Sequence, residues 1–353
     1  MASLNFGYKL KFGDTPMPLP KNPRSDNLVK LTDRRRILHQ ALVGSLGTLA
    51  WPSITSAQAV FPSQAIRIVV PFGPGGLADI STRLAGQKLA EKFAQPVLVD
   101  NRPGAGGVAA AGVISSAPND GHHLILFSNG TAISKSLLKL PFDPQADFVP
   151  ISSLAYFDLN LLVARDSKFT DLRTLVVEAG RRQLTFGTIN PGSTQHLSAE
   201  LFKSVARLDA NLIPFKTSGE VQLALQRGDI DVGFESYAAL RGGIESGVLR
   251  ALATTGPSRT AWLPNVPTVK EAGVSDYEVT GWNALYAPKG TPVAVVETIG
   301  KALREVIANP DMRKRLLDLG VEPRTSSSAE MADIFERDRR KWAQVIQLAK
   351  LKV

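Results

Sequence analysis

Residues 66–84 read IRIVVPFGPGGLADISTRL. A short β-branched run enters a loop of proline and glycine and leaves it as an amphipathic helix opening near Asp79. That is the strand-loop-helix start of an α/β unit, a layered fold of parallel strands under covering helices. The first turn of a helix placed after such a loop has N–H groups without intrahelical acceptors. Together with the positive end of the helix dipole they point at one place, which suits an anion. Gly73, Gly75 and Gly76 let the backbone approach a ligand closely and permit positive φ, although a plain strand-to-helix turn asks for the same residues.

The alternation continues downstream. Ile66 to Phe72, Val97 to Asp100, Leu124 to Phe127 and Leu159 to Val163 are apolar strand-like runs, with helical patterns at Ile80 to Phe93 and Val108 to Ala117. A second set has a helix from Asp171 to Arg182 capped by Thr170. Its strands lie near Leu184 to Thr188, Asn211 to Phe215, Ile230 to Phe234 and Leu249 to Thr254, with helices after the first two. A strand at Glu278 to Ala287 follows, then helices opening at Pro292 and at Asn309-Pro310 and a long one from Ser328 to Leu348. The sequence has no internal repeat, yet two α/β sets joined by a late return predict two lobes, each a mostly parallel sheet flanked by helices. In such sheets ligands sit at the carboxyl ends of the strands.

Upstream, Arg34-Arg35-Arg36 precede an apolar stretch from Ile37 to Trp51 and a polar segment ending Ala57-Gln58-Ala59, the small-x-small form of a signal-peptidase site. Residues 1–59 therefore read as a proline-bearing extension plus an export signal cleaved after Ala59. Asp33-Arg34-Arg35-Arg36-Ile37-Leu38 resembles the twin-arginine motif, and an ordinary basic n-region looks much the same. Removing these residues lowers the formal charge from +9 to 33 Lys/Arg against 29 Asp/Glu. Without basic runs interleaved with aromatics, that balance gives no support to a nucleic-acid partner. The absence of cysteine excludes disulfides, thiol nucleophiles and thiolate metal sites.

Candidate ligand-binding residues fall at the predicted strand ends. Phe72, Gly75, Gly76 and Asp79 belong to the first loop, and Asn129 and Thr131 follow the strand at Leu124. In the second set Thr188, Asn190, Gly192, Ser193, Thr194 and His196 cross from strand to helix, with Ser193 or Thr194 as N-cap. Lys216, Thr217, Ser218 and Gly219 follow another strand, and Glu235 follows Phe234. The turns at 216–219 and 235–236 are equally what a bare connection requires. Gly73-x-Gly75-x-x-Ala78 with Asp100 also fits the dinucleotide fingerprint, which keeps open an exported nicotinamide-dependent oxidoreductase. Against it stand Pro74, which removes a donor, and the lack of an acid/base pair. No G-x-S-x-G elbow occurs, and His122 and His123 would face opposite sides of a strand rather than form a metal pair.

In order along the chain, PSQAIRIVVPFGPGGLADISTRLAGQKL, QPVLVDNRPGAGGVAAAGVISSAPNDGHHLIL, FGTINPGSTQHLSAELF, IPFKTSGEVQLALQRGDIDVGF, LRALATTGPSRTAWLPNVPTVKEAG and GWNALYAPKGTP resemble the Bug family of periplasmic solute receptors. These are the receptor subunits of tripartite tricarboxylate transporters. The resemblance implies a periplasmic-binding-protein fold with two hinge crossings, residues 60–161 and 282–353 in one lobe and 162–281 in the other. It implies a small organic acid or amino acid held by its carboxylate through backbone N–H groups, hydroxyls and waters from one loop of each lobe. It further implies transporter subunits as partners, a monomer, and neither catalysis nor cofactor. Ile189, Asn190-Pro191 and Glu235 depart from the family's usual glycine or serine and aspartate, and Glu235 facing the cleft would disfavour a second carboxylate there.

Overall fold

The computed structural model describes residues 61–349; the extension, the export signal and the cleavage site after Ala59 lie outside the described residues. The strand β1 (Ile66–Val70) leads through the glycine loop into α1 (Leu77–Phe93), followed by β2 (Val97–Asn101), α2 (Val108–Ser115), β3 (His123–Ser128) and α3 (Asn129–Leu137). The long β4 (Phe148–Ala164) precedes α4 (Leu172–Ala179), β5 (Leu184–Ile189), α5 (Thr194–Val205), β6 (Ala210–Phe215), α6 (Ser218–Arg227), β7 (Val232–Ser236), α7 (Tyr237–Glu245) and β8 (Leu249–Thr254). Then come β9 (Thr280–Pro288), α8 (Val293–Ala308), α9 (Pro310–Asp318) and α10 (Ser328–Ala349).

The strands form two sheets with one topology. The first runs β2-β1-β3-β9-β4 and the second β6-β5-β7-β4-β8. In each, one strand runs against the others: β9 between β3 and β4, and the end of β4 between β7 and β8. The reversed strand is lent by the other half of the chain, so the architectural repeat that the sequence hides is a repeat of strand order. This is the α/β, two-lobed periplasmic-binding-protein fold, its sheets mostly parallel.

Period-2 patterning builds the first lobe's three layers. Ile66, Ile68 and Val70 of β1 with Leu124 and Leu126 of β3 pack into one apolar cluster with Ile299 and Leu303 of α8. Val69, Ile125 and Phe127 point to the opposite cluster, which holds Met331 and Phe335 of α10. In the second sheet Phe186 and Phe234 meet Phe202 of α5, with ring centroids 5.4 to 6.1 Å apart. The far end of α10 joins this second core through Trp342.

β4 changes sheets between Asp158, opposite Thr280 of β9, and Leu159, opposite Ser236 of β7. Buried Thr255 ties the crossing: its hydroxyl donates to the Val279 carbonyl at 2.7 Å and accepts from the Leu159 N–H at 2.9 Å. Burial lifts the Asp158 carboxyl to about 6, opposed by a hydrogen bond from Thr280 and reinforced by Glu322 and Glu278.

Four elements differ from expectation. α3 starts with Asn129-Gly130, residues that read as a turn, because Ser128 and Thr131 frame its first turn. α7 carries Gly242-Gly243 and a kink at Leu240. β4 begins well before Leu159 because it is the edge of the first sheet, where Pro150 is tolerated and Ser152 and Ser153 bond to the chain around Ser326. The N-cap of α4 is Asp171, accepting from the Thr174 N–H at 2.7 Å, rather than Thr170.

Candidate functional site

The helices α1, α3, α5 and α6 all begin where parallel strands end, so their first turns meet at one cleft between the sheets. Phe72, Gly73, Gly76, Leu77 and Ala78 line it from the first loop, Ser128, Phe157 and Asn283 from the strands beside that loop. Ile189, Thr194, Gln195, Lys216, Thr217 and Ser218 line it from the second lobe. Counted out to its open mouth the cleft measures about 380 Å³, but only about 20 Å³ at its bottom can hold the centre of a water molecule. The smaller figure is room for about one water, so an organic acid enters by parting the lining toward the mouth.

The rims of the cleft are in contact. The Asn190 amide donates to the Pro71 carbonyl at 3.3 Å, and the Gly106 N–H to the Pro191 carbonyl at 3.2 Å. The Ser134 hydroxyl donates to the Gly192 carbonyl at 3.0 Å, and the Thr194 hydroxyl to Asn129 Oδ1 at 2.6 Å. Gly130 lies so close to its opposite rim that a Cβ there would stand 2.7 Å from the Gly192 carbonyl oxygen and 2.9 Å from the Thr194 nitrogen. A Cβ on Gly73 would strike the Lys216 carbonyl and Thr217. Gly192, at φ +80°, combines a left-handed turn with this close approach.

Of the residues singled out from sequence, Phe72, Gly76, Thr194, Lys216, Thr217 and Ser218 line the cleft. Asn129, Asn190 and Gly192 instead join the rims. Asp79, 4% exposed, does not line the cavity. It accepts from the Gly75 N–H at 2.9 Å, from Asn101 at 3.0 Å and from Arg83 at 2.9 Å. Burial pushes its carboxyl up, but these donors, Arg83 foremost, more than offset that and hold it below the usual carboxylate range. Gly75 therefore spends its N–H on Asp79, at φ +78°, and lines nothing.

Ser193 caps α5, accepting from the His196 N–H at 3.1 Å, and Thr131 bonds back to the Ser128 N–H at 3.4 Å. His196 and Thr188 pair at 3.3 Å behind the loop. Burial drives the His196 pKa down to about 4, so the imidazole is a neutral packing group at neutral pH. Thr217 caps α6, while Gly219 is exposed and outside the lining.

Glu235 does not face the cavity. It is fully buried, accepting from Ser218 Oγ at 2.8 Å, Gln195 Nε2 at 3.3 Å and the Ser236 N–H at 2.9 Å. Burial pushes its carboxyl up against these three donors. Since Ser218 and Gln195 both line the cleft, Glu235 acts on it from behind by fixing two side chains.

Ser128 and Gln195 stand inside marked loops, as Ser128-Asn129-Gly130-Thr131 and Thr188 to His196, without being singled out. Sequence reasoning missed Asn283, which sits in an apolar strand and gains its meaning only through its register opposite Ser128. Asp100, the carboxylate a dinucleotide would need, is engaged by Arg67 at 2.5 Å and Arg102 at 3.1 Å. Among the described residues no group of three or more His, Cys, Asp or Glu is placed to hold a metal, and no helix is long and apolar enough to cross a membrane.

The profile of the tripartite tricarboxylate transporter family receptor, TctC, matches residues 81–351. BugT of Bordetella pertussis is 30% identical over 312 residues, 87% of this chain and 96% of its own. MatC of Rhodopseudomonas palustris, solved with bound malate, superposes with a TM-score of 0.76 at 29% identity, over 81% of this chain and 100% of its own. A second R. palustris protein, solved with adipate, gives a TM-score of 0.80 at 30% identity, over 83% and 99%. With the glycine loop, the paired lobes and the meeting of helix N-termini, these likenesses place the chain in a family: it belongs to the receptors of the tripartite tricarboxylate transporters, the Bug-type receptors its motifs resemble.

Proposed function

We propose that the protein is a periplasmic receptor that closes its lobes on a short organic acid and delivers it to the membrane subunits of a tripartite tricarboxylate-type transporter. The observation that carries this reading is the convergence of the first turns of α1, α5 and α6 on one cleft whose lining holds a single charged side chain, Lys216. Free N–H groups and helix dipoles there attract a carboxylate without a fixed countercharge. The malate and adipate carried by the two similar structures support an organic acid as the ligand class. An amino acid fits less well, because the buried carboxylates near the cleft, Asp79 and Glu235, are taken up by their own donors, Glu235 by Ser218 and Gln195.

Ligand contact is assigned to Phe72, Gly76, Thr194, Lys216, Thr217 and Ser218, and the other residues marked in the loops hold those in place. Residues 60–161 and 282–353 act as one lobe and 162–281 as the other, a division supported by the passage of β4 between sheets at Asp158 and Leu159. The receptor works as a monomer, without catalysis, cofactor or nucleic acid. It reaches the periplasm by the twin-arginine route, with cleavage after Ala59.

The test is to identify by mass spectrometry the small molecules released from freshly purified protein, and to titrate them back while following Tm. An organic acid that raises Tm in proportion to ln(1 + [L]/Kd) is expected. A co-purifying nicotinamide nucleotide, with no acid stabilising the protein, would overturn the reading in favour of an exported oxidoreductase.

A further inference from the structure

Two side chains on the cleft wall have polar atoms with nothing to bond. Ser128 and Asn283 are 2% and 1% exposed, both line the cavity, and Ser128 Oγ and Asn283 Nδ2 have no hydrogen-bond partner among the described residues. They stand directly opposite each other on the antiparallel strands β3 and β9. Residues so paired present their side chains on one face, with Cβ atoms about 5 Å apart. Ser128 is the N-cap of α3 and stands in a capping-box arrangement with Thr131; such a cap uses the hydroxyl only as an acceptor and leaves its O–H to be donated. Buried donors without acceptors are costly and rare, so a pair of them facing one cavity calls for an occupant.

We infer that Ser128 and Asn283 form a second polar subsite, which binds an oxygen acceptor carried by the ligand some way along its chain from the anchored carboxylate. This rests on the receptor reading and sharpens its substrate class. The sheet supplies a ruler. The anchoring loop follows β1, while Ser128 ends β3, one strand over, and Asn283 lies on β9, two strands over. At the usual strand spacing the two groups of the ligand stand about 5 to 10 Å apart. Between them the wall is Phe72, Leu77 and Phe157, suited to methylenes. No carboxylate lines the cleft, so an ammonium at this position meets N–H and O–H donors and no fixed negative charge. The preferred ligand is therefore a short acid with a hydroxyl, oxo or second carboxylate group, in preference to a plain fatty acid or an ω-amino acid.

Calorimetry on the wild-type protein with butyrate, 4-hydroxybutyrate, succinate and 4-aminobutyrate, and with their six-carbon counterparts, isolates the terminal group at fixed chain length. In at least one length the hydroxyl or carboxylate acid should bind at least tenfold more tightly than the methyl-ended one, and the amine no better than the methyl. Ser128→Ala and Asn283→Leu should each bring that ratio to within about threefold. Asn283→Asp, which exchanges a donor for an acceptor, should favour the amine relative to wild type. Far-ultraviolet circular dichroism and Tm confirm folding of each variant, and any one that folds suffices. Acids that bind with ratios unchanged by the variants overturn the subsite and leave the receptor reading intact. A wild type that binds none of the acids overturns both.

Discussion

The rim of the cleft and its wall obey opposite rules. At the rim every polar group named above is satisfied across the gap: Asn190 by Pro71, Gly106 by Pro191, Ser134 by Gly192 and Thr194 by Asn129. A few residues deeper, Ser128 and Asn283 are buried and unsatisfied. Four hydrogen bonds, at about 0.5 to 1.5 kcal/mol net each, make a latch of a few kcal/mol, enough to bias closure and weak enough to open. Unsatisfied donors do the reverse: they penalise closure until something fills them. Closing strength and ligand recognition therefore reside in different residues, and substitutions can separate them.

The largest effect should come from preventing the rims from meeting. Gly130→Val puts bulk against the opposite backbone, which cannot yield as a side-chain tip can. Affinity for the organic acid should fall at least a hundredfold, the ligand should no longer compact the protein in small-angle scattering, and the ligand-free Tm should move little. Wild-type affinity in this variant would mean that the rims need not touch for capture, and the latch would lose its role.

A smaller effect is expected behind the cleft. Glu235→Ala strands the Ser218 hydroxyl, the Gln195 amide and the Ser236 N–H, a loss of about 2 to 4 kcal/mol of stability, with binding weakened about tenfold as Ser218 and Gln195 lose their register. Glu235→Gln keeps the shape and much of the bonding, so denaturant unfolding should show a loss of about 1 kcal/mol or less. Equal losses in the two variants would show that Glu235 is simply filling space.

Much of this was legible in the chain. The alternating apolar residues of β1 and β3 announce a sheet covered on both faces, and Gly73 to Gly76 mark a loop that borders the cleft. Ser193 declares its helix through cap chemistry that local sequence can express. Register could not be read. Asn283 acquires its place only because β9 runs antiparallel to β3, and Glu235 turns inward because Ser218 and Gln195, 17 and 40 residues away, reach it first. The start of α3 was hidden because Asn129-Gly130 favours a turn locally, and its role at the rim demands the glycine.

The pH dependence separates the hinge from the cleft. The His196 pKa is lowered to about 4, so the unfolded chain binds more protons between that value and the ordinary 6.5, and its contribution to stability is lost as pH falls through that window. The Asp158 pKa is raised to about 6 from 3.8, so its contribution is present at low pH and lost as pH rises through the window between those values. The two slopes oppose each other near pH 5, so removing either group should change the slope of the urea-unfolding stability there in opposite directions. Asp158→Asn should unmask the histidine slope and stabilise the protein at pH 7 by about 1 to 3 kcal/mol, and His196→Gln should unmask the opposite one. A flat profile in both variants would remove these groups from the account.

The smallest effect separates the anchor from the one charge beside it. Lys216 is exposed, forms no ion pair among the described residues, and contributes its own N–H to Glu220 at 2.8 Å, so its backbone is already committed to the start of α6. An exposed ammonium facing a carboxylate is screened by water and salt and is worth about 0 to 1 kcal/mol. The N–H groups of three helix starts are fixed before the ligand arrives and lose nothing to ordering when it binds, so they should carry most of the attraction. Lys216→Met should therefore weaken binding about two- to fivefold in calorimetry, and most of that difference should vanish at high salt. A loss of thirtyfold or more that persists in salt would move the anchor from the backbone to the lysine.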